Sequence, residues 1–82
     1  MKTLVENEEP NLTEDDCIDY LTKPGHAMFV DRYYTRRERL GQAWLNSLSV
    51  DDQDKLKGSL YDPFYKNEWP DVIRALRFLL EN

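Results

Sequence analysis

Between Ala27 and Leu48 the residues Phe29, Val30, Tyr33, Arg37, Leu40, Gly41, Trp44 and Leu48 recur at steps of three and four. That spacing puts one apolar stripe along a helix, whereas a strand would alternate every second residue. Thr35-Arg36-Arg37-Glu38 competes with it, because a Thr followed three residues later by Glu has the form of a capping box and would start a new helix at Arg36. Met28–Tyr34 would then be extended. A lone strand finds no partner elsewhere in the chain, so the periodicity predicts one long, bent helix over about 27–48.

Three more helices are expected around it. Thr13 is an N-cap candidate followed by Glu14, Asp15 and Asp16, whose charges suit the positive end of a helix dipole. A short helix over about 13–22 would bury Cys17, Ile18 and Leu21 and stop at Lys23-Pro24-Gly25. Ser49, with Asp51 and Asp52 after it, starts another over about 50–57, with Gly58 as its left-handed C-terminal residue. An aromatic connection, Leu60–Tyr65, leads to Trp69-Pro70, and Pro suits the first turn of a helix. In that last helix Trp69, Val72, Ile73, Leu76, Leu79 and Leu80 share one side and Arg74, Arg77 and Glu81 the other. The expected fold is all-α, a single domain of about four helices over 12–82, behind an acidic leader, 1–11, that orders only where something holds it. Trp44, Leu40, Leu48, Trp69, Leu76 and Leu80 are expected to share its core.

At 82 residues such a domain buries roughly 60% of its unfolded surface, and with 40% hydrophobic and 33% charged residues it has a globular balance. The core is thin. One Cys and one His exclude an internal disulfide and a Cys/His zinc site. A Cys17–His26 thiol–imidazole pair has no third group to orient it, and Cys17 reads as a small core residue. Asp51, Asp52 and Asp54 lack the Gly and Glu of a calcium loop in either register. The three glycines lie too far apart for a phosphate loop. No enzyme, cofactor or metal is therefore expected, and neither a signal peptide nor a membrane span is read; a cytoplasmic setting follows from the lone cysteine.

Net charge is −5, which opposes general nucleic-acid binding. One cluster runs against it: Arg32, Arg36, Arg37 and Arg39 with Tyr33 and Tyr34. Guanidinium groups on phosphates and rings on bases would make a nucleic-acid contact; pairing to Asp31 and Glu38 would make a solvated helix face. Arg37 falls on the apolar stripe and is expected at the core edge, its stem over apolar surface. Gly41 beside Trp44 implies close approach of another backbone. Phe78, on the polar side of the last helix, is either covered by another segment or an exposed anchor.

Arg39-Leu40-Gly41-Gln42-Ala43-Trp44-Leu45-Asn46-Ser47-Leu48, then Tyr61-Asp62-Pro63-Phe64-Tyr65 and a closing amphipathic helix, resemble small uncharacterised proteins of tailed phages and prophages. These carry an Arg-x-Gly-Gln-Ala-x-x-Asn-x-Leu stretch and an Asp-Pro-aromatic turn. The resemblance covers about 35–82 and brings no catalytic residues. It implies an accessory protein in the cytoplasm of an infected bacterium that binds and redirects or inhibits a host protein of defence or nucleic-acid processing. The expected partner-binding residues are Tyr34, Arg36, Arg39, Arg74 and Phe78. The alternatives are a nucleic-acid contact protein using residues 32–39, an acidic DNA mimic using Glu14–Asp16 with Asp51, Asp52 and Asp54, and pairing with a second copy of the chain.

Overall fold

A computed structural model describes residues 12–81. The leader expected over 1–11 and the last residue lie outside the described residues. The fold is all-α; the described residues form five α-helices, α1 Glu14–Asp19, α2 Lys23–Val30, α3 Leu40–Asn46, α4 Val50–Leu56 and α5 Trp69–Glu81, and a π-helical turn, Asp31–Thr35, follows α2 directly.

The caps follow the local chemistry. Thr13 and Asp16 form a capping box on α1, Ser49 caps α4 through the Asp52 amide, and Gly58 takes a left-handed φ of 81°. Lys23-Pro24-Gly25, expected to stop the first helix, instead begins the second: α1 has already ended at Asp19, with Tyr20 as its C-cap, and the Thr22 hydroxyl accepts from the Gly25 amide with Pro24 in the first turn of α2.

The long helix expected over 27–48 is instead two helices. After α2 the backbone widens, with the Arg36 amide donating five residues back to the Asp31 carbonyl at 3.0 Å and the Glu38 amide six back to Arg32 at 3.0 Å. Arg37 then turns left-handed at φ 62°, and α3 begins only at Leu40. Residues 28–34 are helical all the same, so neither the extended segment nor a helix start at Arg36 is found. The restart is made from afar. Asn67 Oδ1 accepts from the Leu40 amide at 2.8 Å and the Lys66 carbonyl from the Gly41 amide at 3.0 Å, so the connection before α5 caps α3.

Gly41 permits this. A Cβ there would run into the Pro63 carbonyl oxygen and lie 2.9 Å from that of Lys66, which is the close backbone approach expected from a glycine beside Trp44.

Trp44, Leu40, Leu45, Leu48, Leu56, Val72, Ala75 and Leu76 are buried with Cys17 and Phe29, and Trp69 packs half-buried against them. Trp44 donates its indole N–H to the Cys17 carbonyl at 3.0 Å, so the largest core side chain also satisfies its polar atom. Leu80 is a correction: it is 57% exposed. The stripe of α5 runs through Val72, Ala75, Leu76 and Leu79, and Leu80 continues its Ile73 edge into the last turn, beyond the packed surface.

Candidate functional site: the arginine–tyrosine knuckle

The break between α2 and α3 forms a knuckle. Phe29 anchors it from inside, stacking on Tyr33 at 5.5 Å and 14° and meeting Trp69 at 6.4 Å. Tyr33 in turn meets Tyr34 edge to face at 4.9 Å, and Tyr34 stands 66% exposed. Aromatic pairs at such separations add to the area they bury, so the ring row fixes the direction in which Tyr34 leaves the surface.

Two of the four arginines are neutralised within the knuckle: Arg32 pairs with Glu38 at 2.9 Å and Arg36 with Asp31 at 3.0 Å. The other two have no carboxylate partner among the described residues. Arg37 is exposed on its left-handed backbone. Arg39 lies over the ring of Tyr65 at 5.5 Å and donates to Gln42 Oε1 at 3.4 Å. Tyr65 is 76% exposed, so the pair forms a cation–π contact open to solvent. Tyr33, Tyr34, Arg37, Glu38 and Asn67 line one shallow hollow, which joins the knuckle to the connection that caps α3.

The knuckle carries local costs. A non-glycine residue at a left-handed φ costs about 1–2 kcal/mol. The Arg32–Glu38 pair leaves Arg32 Nε and Glu38 Oε1 buried with no hydrogen-bond partner among the described residues, and each such atom costs about 1–3 kcal/mol.

The expected binding residues divide between two surfaces. Tyr34, Arg36 and Arg39 belong to the knuckle. Arg74 pairs with Asp71 in the first turn of α5 and lines a second hollow with Leu60, Tyr61, Asp62 and Lys66. Phe78 is not a projecting anchor: it is half-buried against the core, and Tyr61 stacks on it at 5.1 Å and 25°. Another segment does cover it, and that segment is the aromatic connection. Arg37 is corrected in the opposite direction, from core edge to exposed surface, because the π-turn and the left-handed residue break the register that placed it on the stripe. Tyr65 was missed as a site residue. The Arg39–Tyr65 contact spans the chain, and only the exposed, aromatic-rich character of the connection hinted at it.

Elsewhere the chemistry is quiet. Cys17 is buried under Trp44; burial, and then the Asp16 and Glu14 carboxylates, push its thiol from 9.0 up to about 12, so it stays protonated at neutral pH. His26 is exposed on α2. No group of three or more His, Cys, Asp or Glu side chains among the described residues is placed to hold a metal ion, and no helix is long and apolar enough to cross a membrane. In the acidic clusters, Asp16 serves the α1 cap and Asp52 accepts from the Tyr20 hydroxyl at 2.9 Å, while Glu14, Asp15, Asp51 and Asp54 remain exposed. Comparison of the chain with protein-family models, curated proteins and solved structures finds no match.

Proposed function

We infer that this chain is a non-enzymatic protein-binding module and that the knuckle is its binding surface, with Arg37, Arg39, Tyr34 and Tyr65 as the contacting side chains. The observation that carries the reading is the left-handed Arg37. A glycine would hold that backbone without strain, so an exposed arginine there has a cost that its own packing does not return. Backbone strain of this kind concentrates at functional sites. Arginine and tyrosine are also the residue types that dominate interface energetics, combining large contact area with fixed hydrogen-bond geometry.

Charge favours a protein over a nucleic acid. Across Asp31–Arg39 four arginines meet two carboxylates, both in ion pairs, which leaves two positive charges on a chain of net charge −5. A phosphate backbone is held by many uncompensated cations; a protein patch is held by a few desolvated ones. The resemblance to phage accessory proteins supplies the proposed setting, a host protein in an infected bacterial cytoplasm.

Capture from bacterial lysate by wild type and by the Arg37→Gly/Arg39→Ala variant, read by mass spectrometry, tests the reading. A protein retained by wild type and lost by the folded variant supports it; one retained equally by both overturns the assignment to the knuckle. The nucleic-acid alternative is tested by salt titration, where each phosphate contact contributes about one unit of slope in log affinity against log salt, and absence of binding at low salt removes it.

A further inference from the structure

The connection between α4 and α5 opens on a turn that is tightly bonded yet holds an apolar side chain outwards. Gly58 enters it at a left-handed φ of 81°. The Ser59 hydroxyl donates to the Leu56 carbonyl at 2.8 Å and accepts from the Tyr61 amide at 3.1 Å, and the Ser59 amide donates to the same Leu56 carbonyl at 3.0 Å. Asp62 Oδ1 then accepts from the Phe64 amide at 3.0 Å. Among these bonds Leu60 stands 96% exposed, beside Tyr61 at 43%. Tyr61 is itself fixed by stacking on Phe78. A single exposed leucine is ordinary on a protein surface, but a leucine and a tyrosine held side by side on a bonded turn form an apolar contact that is ordered before any partner arrives.

The charges around the pair identify what fits it. Asp62, Asp71, Lys66 and Arg74 line the same hollow as Leu60 and Tyr61, so its formal charges cancel. Asp71 and Arg74 pair with each other at 2.6 Å. Lys66 is exposed, and neither it nor Asp62 has an ion-pair partner among the described residues. One unpaired cation and one unpaired anion beside an apolar centre make the face complementary to itself, because a two-fold axis sets each Lys66 against the other copy's Asp62. Elsewhere the chain repels a copy of itself: its net charge is −5, and two knuckles brought together would set arginine against arginine.

We propose that this face joins two copies of the chain about a two-fold axis, with Leu60 of each packed on the partner's Tyr61 and Lys66 of each paired with the partner's Asp62. The contact is built from one turn and one helix edge, so it belongs to the small interfaces, below about 1,200 Å² in total, that form and dissociate readily. Leu60 and Tyr61 lie at its centre and carry the affinity; the charged residues at the rim fix the register. The pairing does not depend on the knuckle, which shares none of these side chains.

Sedimentation velocity of the full chain from about 10 μM to about 1 mM, the range in which weak contacts dissociate, tests the pairing. The expected result is a weight-average mass that rises from one chain towards two. Leu60→Glu is expected to weaken the pairing at least about tenfold, since it sets a carboxylate at the apolar centre, and to keep its thermal midpoint, since the side chain it replaces is 96% exposed. Lys66→Glu, which leaves the carbonyl that caps α3 in place, is expected to weaken it by a smaller factor that shrinks as salt rises. Leu80→Glu is the control: Leu80 is 57% exposed but lies about 200° round α5 from Phe78, and its substitution is expected to leave the pairing as it is. A chain that stays monomeric across the range overturns the proposal, as does a dimer that Leu60→Glu weakens no more than Leu80→Glu does, or one indifferent to Lys66→Glu at low salt.

Discussion

At the scale of single residues, two positions separate strain from packing. Arg37→Gly relieves the left-handed backbone at the expense of a more flexible unfolded chain, so urea unfolding is expected to show stability unchanged or raised by up to about 1 kcal/mol. A loss above that amount would mean the Arg37 side chain holds the fold together. Gly41→Ala runs the other way. In an open helix the change would gain about 1 kcal/mol, but here the new methyl group meets the Pro63 and Lys66 carbonyls, backbone atoms that cannot turn aside. The expected loss is about 1–3 kcal/mol, as for overpacking, together with faster exchange of the Leu40 and Gly41 amides. The closeness at Gly41 was legible from a costly helical glycine beside a tryptophan. The conformation of Arg37 was not, since a single left-handed residue leaves no periodicity of its own.

At the scale of elements, the legible parts are those with local causes: the Thr13 and Ser49 caps, the Gly58 stop and the apolar stripe of α5. The break between α2 and α3 was hidden because apolar residues keep the helical spacing on both sides of it, while the groups that restart the helix, Asn67 and Lys66, lie more than twenty positions away. Leu80 was misread for a related reason, as periodicity gives a face but not the length over which that face is covered. The join between α1 and α4 has a pH signature. Partial burial, and then the bond to Asp52, push the Tyr20 hydroxyl from 10.0 up to about 12, and the Cys17 thiol rises from 9.0 to about 12. Both groups are neutral acids whose folded pKa is raised, so their contribution is complete below about pH 9 and is lost as pH climbs towards 12. Stability is therefore expected to fall through that window, and in a Tyr20→Phe variant the loss specific to Tyr20, from pH 10 upwards, is expected to disappear. An alkaline unfolding profile identical in the two proteins would contradict the assignment.

At the scale of the whole molecule, the described helices share one thin core around Trp44, and the connection between α4 and α5 caps α3, covers Phe78 and presents Tyr65 to Arg39. The all-α class and most of the core follow from sequence periodicity, but the composite surface does not, because it is assembled from residues far apart in the chain. With so few buried side chains, Leu76→Ala is expected to cost about 2–5 kcal/mol through lost burial and the cavity left behind, lowering the thermal midpoint by many degrees. Phe78→Ala is also expected to destabilise, since it strips the ring from beneath Tyr61. The binding surface, by contrast, is expected to be separable from stability. The most direct measurement of that separation is capture from lysate by wild type and Arg37→Gly/Arg39→Ala, with thermal unfolding of both proteins recorded alongside. The expected result is a variant with an undiminished midpoint that no longer retains the protein held by wild type; a variant that keeps both its midpoint and that protein would contradict the assignment of binding to the knuckle.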